Sequence, residues 1–183
     1  MKRNQIDIYI ALIVVLIATT SRIANSALQL PNYAPLVALG LFSGAVIKDK
    51  RLAFFTAIAG QLLADVYFQL FTHTPGFYDV VSQLFNYGAL IAAAGMGTTL
   101  KKLNTSNTLV YAFGASTLFF LISNFGVFIA GWNGFGYVAL VKTYILGVPF
   151  FKYTLAGNMA GAFIFFSVYT KLQENIEAKM LKA

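Results

Sequence analysis

Along its length the chain alternates long apolar runs with short polar breaks, and the breaks carry most of its lysines and arginines. A helix needs about 20 apolar residues to cross a hydrocarbon core roughly 30 Å thick. On that measure six transmembrane helices are predicted, at about residues 7–27, 35–47, 52–71, 79–100, 108–130 and 151–170. The second is short, bracketed by Pro31 and Pro35 on one side and by Lys48-Asp49-Lys50-Arg51 on the other. The stretch 137–150 is too short to cross and contains Gly147-Val148-Pro149. Irregular backbone cannot face lipid, because its N–H and C=O groups would go unpaired. A re-entrant or interfacial segment between helices 5 and 6 is therefore expected there. In the tail, 171–183, Leu172, Ile176 and Met180 share one helical face, which predicts a last helix running on into the cytoplasm with an apolar stripe.

Composition agrees. The 183 residues are 58% hydrophobic and 10% charged, whereas soluble domains average about 25% charged. An all-α integral membrane protein is expected, one transmembrane domain over residues 1–183 with the lipid bilayer as its first partner. The N-terminal run, with Asp7 and Arg22 inside it, reads as a retained span rather than a cleaved signal. There are no cysteines, which excludes disulfides, thiolate metal sites and a cysteine nucleophile. The net charge of +7 sits mainly at span ends, where topology rather than nucleic-acid binding accounts for it. Lys2/Arg3, Lys48/Lys50/Arg51, Lys101/Lys102 and Lys171/Lys179/Lys182 fall on alternate connections and both ends, whereas the loops around Asn32 and His73 lack Lys and Arg. The positive-inside rule then predicts both termini in the cytoplasm. Arg22, Lys142 and Lys152 break this pattern.

Counting 1.5 Å per residue from the basic anchors gives each polar residue a height. Arg22 lies about 22 Å above Asp7, Asp65 about 21 Å above Arg51, Asn86 about 22 Å above Lys101 and Asn158 about 20 Å above Lys171. Four polar side chains from four spans thus share one level, with Gln83, Asn124 and the Asn32, His73 and Trp132 loops above it. Below it the spans are rich in Ala and Gly, which permit close helix approach. A bundle closed at its inner half and polar toward the outside is expected.

Arg22 and Asp65 are the strongly ionisable residues well inside spans, where an unpaired charge costs at least about 2.5–3.5 kcal/mol. They read as a structural ion pair between the first and third spans, or as an arginine that meets an anionic ligand and an aspartate that orients it; the two readings are compatible. Asn158, inside Gly157-x3-Gly161, belongs to a packing pattern, but a buried amide also needs partners. Asn86 and Asn124 are equally open to ligand contact or helix–helix bonding. Trp132, Tyr137 and Tyr144 fit either an interfacial aromatic belt or a lid over a ring-containing ligand. His73 is the chain's one histidine and, with no second His or Cys nearby, reads as a poor metal ligand and a poor general base. Ser116 has no intramembrane histidine to activate it. No G-x4-GK[ST] motif is present. Neither an enzyme nor a bound cofactor is expected.

An ordered set of residues carries a resemblance: Arg22, Pro31-Asn32-Tyr33-Ala34-Pro35, Ala38-Leu39-Gly40-Leu41-Phe42-x-Gly44, Asp65, Ser123-Asn124-Phe125-Gly126-Val127, and Pro149-Phe150-Phe151-x-x-Thr154-Leu155-x-Gly157. Together they resemble an uncharacterised family of small bacterial six-helix membrane proteins. That family is distantly similar to the substrate-binding S components of energy-coupling-factor (ECF) vitamin transporters. The resemblance implies a six-helix bundle in the bacterial cytoplasmic (inner) membrane and a ligand pocket roofed by outward loops. It also implies partnership with the coupling protein and ATPases of an ECF-type module. Two positions depart from it. Asn158 stands where the family pattern has aspartate, and the Ala-x3-Ala spacing of S-component first helices becomes Ala11–Val15 and Ala18–Arg22.

The function expected is binding of a small, vitamin-like, anionic or aromatic micronutrient for uptake. Arg22, Asn32, Asp65, Asn86, Asn124 and Asn158 would form the pocket, with Trp132 and Tyr144 in its lid. The alternative is a scaffold subunit, like the small membrane proteins of cell-shape machinery, that docks through its tail stripe.

Overall fold

The computed structural model of the chain describes residues 3–30, 32–73, 76–77 and 79–180. Lys2, Pro31 and Lys182, and the side chains of Arg3, Lys179 and Met180, lie outside that description. Six helices follow in order: α1 Arg3–Ala27, α2 Leu36–Val46, α3 Lys50–Phe71, α4 Val80–Thr99, α5 Thr105–Ile129 and α6 Tyr137–Met180. Five are long and apolar enough to cross a membrane, and α2 is not.

The polar breaks start helices because their side chains satisfy backbone N–H groups that the first turn leaves free. Asp49 accepts from Arg51 N (3.0 Å) and Leu52 N (3.3 Å) at the head of α3. Asp79 accepts from Val81 N and Ser82 N, both at 3.1 Å, at the head of α4. Asn104 accepts from Asn107 N at 2.8 Å at the head of α5.

The bundle is built around its shortest member. Nine of the 11 residues of α2 are buried, Val37 through Gly44 and Val46. It touches each of the other five helices. At 1.5 Å per residue it is about 16 Å long, half the thickness of a hydrocarbon core. Against α4 it packs backbone to backbone: a Cβ on Gly44 would overlap the Ala94 carbonyl, and one on Gly97 would overlap the Leu41 carbonyl. The apolar centre gathers Val14, Leu39, Leu41, Phe42, Leu90 and Phe166 around these contacts. The α1–α3 contact is similarly close, with Ala18 seated on Gly60 and Thr19 Oγ1 donating to Gly60 O at 3.1 Å.

One end of the bundle holds Lys48–Arg51, Lys101, Lys102 and Lys171; it is called the basic end below. Here buried Asp7 of α1 accepts from Lys48 N and Asp49 N, both at 3.0 Å. Lys50 Nζ covers the last carbonyls of α2, donating to Gly44 O (2.9 Å) and Ile47 O (3.1 Å). Asp7, an awkward residue in an apolar run, thus ties α1 to the α2–α3 turn.

Two expectations are corrected. The span expected at 35–47 does not cross: α2 fills only the half of the bundle nearer the basic end. The segment 137–150, expected to be re-entrant or interfacial, is the beginning of α6, whose 44 residues run through Pro149 without interruption. Proline removes one N–H from the ladder. Neighbouring helices make this tolerable in membranes, where proline inside helices is common. At this level α5 lies directly against α6, with the Phe120 and Phe151 rings 4.7 Å apart. Gly147 leaves room for the Asn124 side chain that crosses there. At about 66 Å, α6 is twice as long as the membrane is thick. Leu172 and Ile176 lie exposed on its far extension, as the tail pattern predicts.

Candidate functional site

Because α2 stops half-way, the space above its first turn is not filled by helix. That space is a cavity of about 390 Å³, a volume within the ordinary range for small-molecule sites. Its floor is the start of α2, Leu36 and Val37. Its walls come from Arg22 and Asn25 on α1, Gln61 on α3, Asn86 on α4 and Ser123 and Asn124 on α5, with Thr154 and Asn158 on α6. Asn32 and Ala34, in the segment linking α1 to α2, close one side, and Phe119, Phe120, Phe150 and Phe151 supply an aromatic wall.

The α1–α2 segment is shaped for this. Asn25 Nδ2 donates to Leu30 O at 2.9 Å, and Asn25 Oδ1 accepts from Tyr33 N at 3.0 Å. Asn32 takes a positive φ of 52°, a left-handed conformation that Asn tolerates better than most residues. On α6, Gly157 lies against the Tyr33 carbonyl and Gly161 against the Pro35 ring, so the Gly157-x3-Gly161 pattern packs this segment rather than a second span.

Asn158 is the best-placed polar group. It is fully buried. Its Oδ1 accepts from Ala38 N at 3.0 Å, capping α2 from another helix where Pro35 provides no side-chain cap. Its Nδ2 is buried with no partner. An unpaired buried donor costs about 1–3 kcal/mol, so a group this placed is poised for an acceptor. Among the described lining residues Arg22 is the other with an unmet donor, its Nε buried and unpaired. Its Nη2 is held by Asp65, with the guanidinium 5.7 Å from the Phe68 ring centre.

Asp65 lies behind Arg22, away from the cavity. It is fully buried and accepts from Arg22, from Gln83 Nε2 and from the Tyr87 hydroxyl (2.7 Å). Gln83 Nε2 also reaches Gly76 O at 3.3 Å, so the α3–α4 turn folds down over the carboxylate. The ion pair expected between the first and third spans is therefore formed, and the carboxylate holds the guanidinium in place.

Of the eight candidate residues, Arg22, Asn32, Asn86, Asn124 and Asn158 line the cavity, Asp65 backs it, and Trp132 and Tyr144 lie elsewhere. Trp132 Nε1 donates to Asp79 Oδ2 at 3.1 Å, fastening the α5–α6 connection to the head of α4. The Tyr144 hydroxyl donates to Leu121 O at 2.8 Å on the α5–α6 seam. The segment expected to be a lid therefore joins helices at the far end, and the flank of the cavity is formed instead by Asn32 and Ala34. Asn25, Gln61 and Thr154 belong to the site without having been singled out. Each lies three or four residues from one that was (Arg22, Asp65, Asn158), and that spacing puts a pair on one helical face. The four phenylalanines carry no such signal, because in sequence they look like lipid-facing residues.

Among the described residues no three of His, Cys, Asp and Glu come together as a metal site would require. The arrangement offers hydrogen bonds, one cation and an aromatic wall, which is the equipment for binding. A model described as "Family of unknown function (DUF6580)" matches residues 2–179 of the chain. No curated protein and no solved structure matches it.

Proposed function

The chain belongs to the family of unknown function DUF6580, and from its cavity we infer a non-enzymatic membrane protein that binds a small micronutrient-like solute for uptake. The observation carrying this reading is Asn158, a fully buried amide with an unused donor on the wall of a 390 Å³ polar cavity.

On this reading the basic end is cytoplasmic, following the positive-inside rule, and the cavity opens toward the outside of a bacterial cytoplasmic membrane. The aspartate-to-asparagine departure then matters less for charge than for hydrogen bonding, since an amide caps α2 and keeps a donor to spare. Transport needs either a coupling protein with its ATPases or movement of the bundle alone. Ala11 and Ala18 of α1 are buried inside the bundle, whereas Ile8, Leu12 and Leu16 are exposed. An energising partner at α1 would therefore meet large aliphatic side chains rather than a small-residue seam.

Native mass spectrometry of the protein taken from its own membranes tests the reading, with a Thr154→Trp variant as a plugged cavity. A co-purifying small molecule lost in that variant supports it. Protein that carries nothing, together with Arg22→Ala and Asn158→Ala variants silent in cells, rules it out. The exposed Leu172 and Ile176 favour a second reading, a scaffold subunit that docks through its tail. Truncation from Gln173 onward separates the two: partners lost with uptake intact identify transport as the core role.

A further inference from the structure

The unmet hydrogen bonding around the cavity has a sign. Among its described lining residues two buried polar atoms lack partners, Arg22 Nε and Asn158 Nδ2, and both are donors. The occupant must bring acceptors to them. The first turn of α2 faces the same space through Leu36 and Val37. It adds the partial positive charge of a helix N-terminus, about +0.5.

Charge then limits the class of occupant. Among the described lining residues Arg22 is the one that is charged, and Asp65 behind it cancels its charge. What is left is about +0.5 from α2. A monocarboxylate would bring the local sum to about −0.5, a phosphate dianion to about −1.5 and an ammonium group to about +1.5. In a poorly screened interior surplus charge is unfavourable, which disfavours the last two. A neutral ligand and a monoanion leave equal residues of charge, so the hydrogen bonds decide between them. Guanidinium-to-carboxylate bonds are about twice as strong as neutral ones.

Building on the solute-binding reading, we propose that the ligand is a small monocarboxylate. Its carboxylate meets Arg22 beside the first turn of α2, Asn158 Nδ2 donates to an acceptor of the same molecule, and its apolar remainder lies against Phe119, Phe120, Phe150 and Phe151. Asp65 is a positioning residue: it touches no ligand and holds the guanidinium in place.

Four matched probes test this on the full-length protein in lipid nanodiscs: benzoate, benzamide, phenyl phosphate and benzylammonium, ranked by competition in saturation-transfer NMR. Benzoate is expected to bind at least tenfold more tightly than each of the others and to lose at least tenfold in Arg22→Gln. The decisive variant is Asn158→Asp. It keeps an oxygen for Ala38 N, and the charge it adds on the cavity wall should weaken benzoate at least tenfold while moving neutral benzamide far less. Benzamide or phenyl phosphate matching benzoate, or Asn158→Asp binding benzoate like the wild type, overturns the carboxylate assignment. Preference for another probe, abolished by Thr154→Trp, leaves the solute-binding reading standing. If no probe binds, the co-purified molecule decides: a monocarboxylate upholds the assignment, any other solute removes it, and no solute at all removes both.

Discussion

Removing the Asp65 carboxylate while leaving Arg22 in place should be among the most damaging single changes to the bundle. Asp65 is fully buried and takes hydrogen bonds from Arg22 on α1 and from Gln83 and Tyr87 on α4. Bonds to a charged group contribute about 1.5–3 kcal/mol each, a nominal sum of about 4.5–9 kcal/mol. That sum overstates the loss, because the Arg22 side chain is 26% exposed and can recruit water in place of the carboxylate. Breaking a buried pair typically costs about 3–5 kcal/mol, and the partial exposure points to the lower bound, about 3 kcal/mol. For a chain of this size Asp65→Ala should lower the unfolding midpoint by roughly 6–12 °C. Replacing both partners is a different matter, since an apolar pair of similar volume is often neutral. The double variant Arg22→Met/Asp65→Leu should therefore cost less than the two single changes added together, the remainder being the Gln83 and Tyr87 donors left facing leucine, while losing the bound solute. Thermal unfolding in nanodiscs, followed by circular dichroism across the full double-mutant cycle, measures the coupling. A coupling of at least about 2 kcal/mol is expected; single effects that add to within about 0.5 kcal/mol would show that the two residues are not an energetic unit.

At the basic end, Asp7→Ala frees two backbone N–H groups of the α2–α3 turn and should cost about 2–3 kcal/mol, with faster proteolysis at residues 47–49; unchanged melting and cleavage would refute the clamp. Two glycines of α4 should respond oppositely. Gly97→Ala drives a methyl into the Leu41 carbonyl and should cost about 2–3 kcal/mol, whereas Gly88, with nothing around its would-be Cβ, should tolerate alanine and gain up to about 1 kcal/mol in helix propensity. Equal thermal shifts in the two variants would contradict the close α2–α4 packing. Asp79 lies in the α3–α4 turn, and the Ser82 hydroxyl, then Ser82 N–H, the Trp132 indole and Val81 N–H, hold its carboxyl below the usual 3.8 despite some desolvation. Its folded pKa being depressed, its contribution is fully present above 3.8 and is lost only as the pH falls through the lower folded value. The fluorescence of Trp132, the chain's one tryptophan, should therefore stay constant from neutral pH down to about 4 and change only below it. In Asp79→Asn that acid transition should vanish.

Much of the architecture was legible along the chain because a bilayer imposes strong, local rules. Hydrophobic length located five helices long and apolar enough to cross, and Ala and Gly content identified where they close on one another. Height counting placed Arg22, Asn86 and Asn158 at one level, and the three line one cavity. Proline misled: Gly147-Val148-Pro149 looks like a break, but α6 runs through it because α5 packs beside it. No count along the chain supplies that neighbour.

The sequence by itself determined what each residue can offer and how deep it sits, since both depend on side-chain chemistry and a fixed rise per residue. Only the tertiary structure decided which groups meet. It placed the short α2 in half of the bundle and left the other half hollow. It turned the Asp65 carboxylate away from that hollow and onto the back of Arg22. It used one end of the Asn158 amide to cap α2 and left the other unpaired. Trp132 and Tyr144 lie, like the cavity, away from the basic end, yet they are off it, because depth is one coordinate and a site needs three.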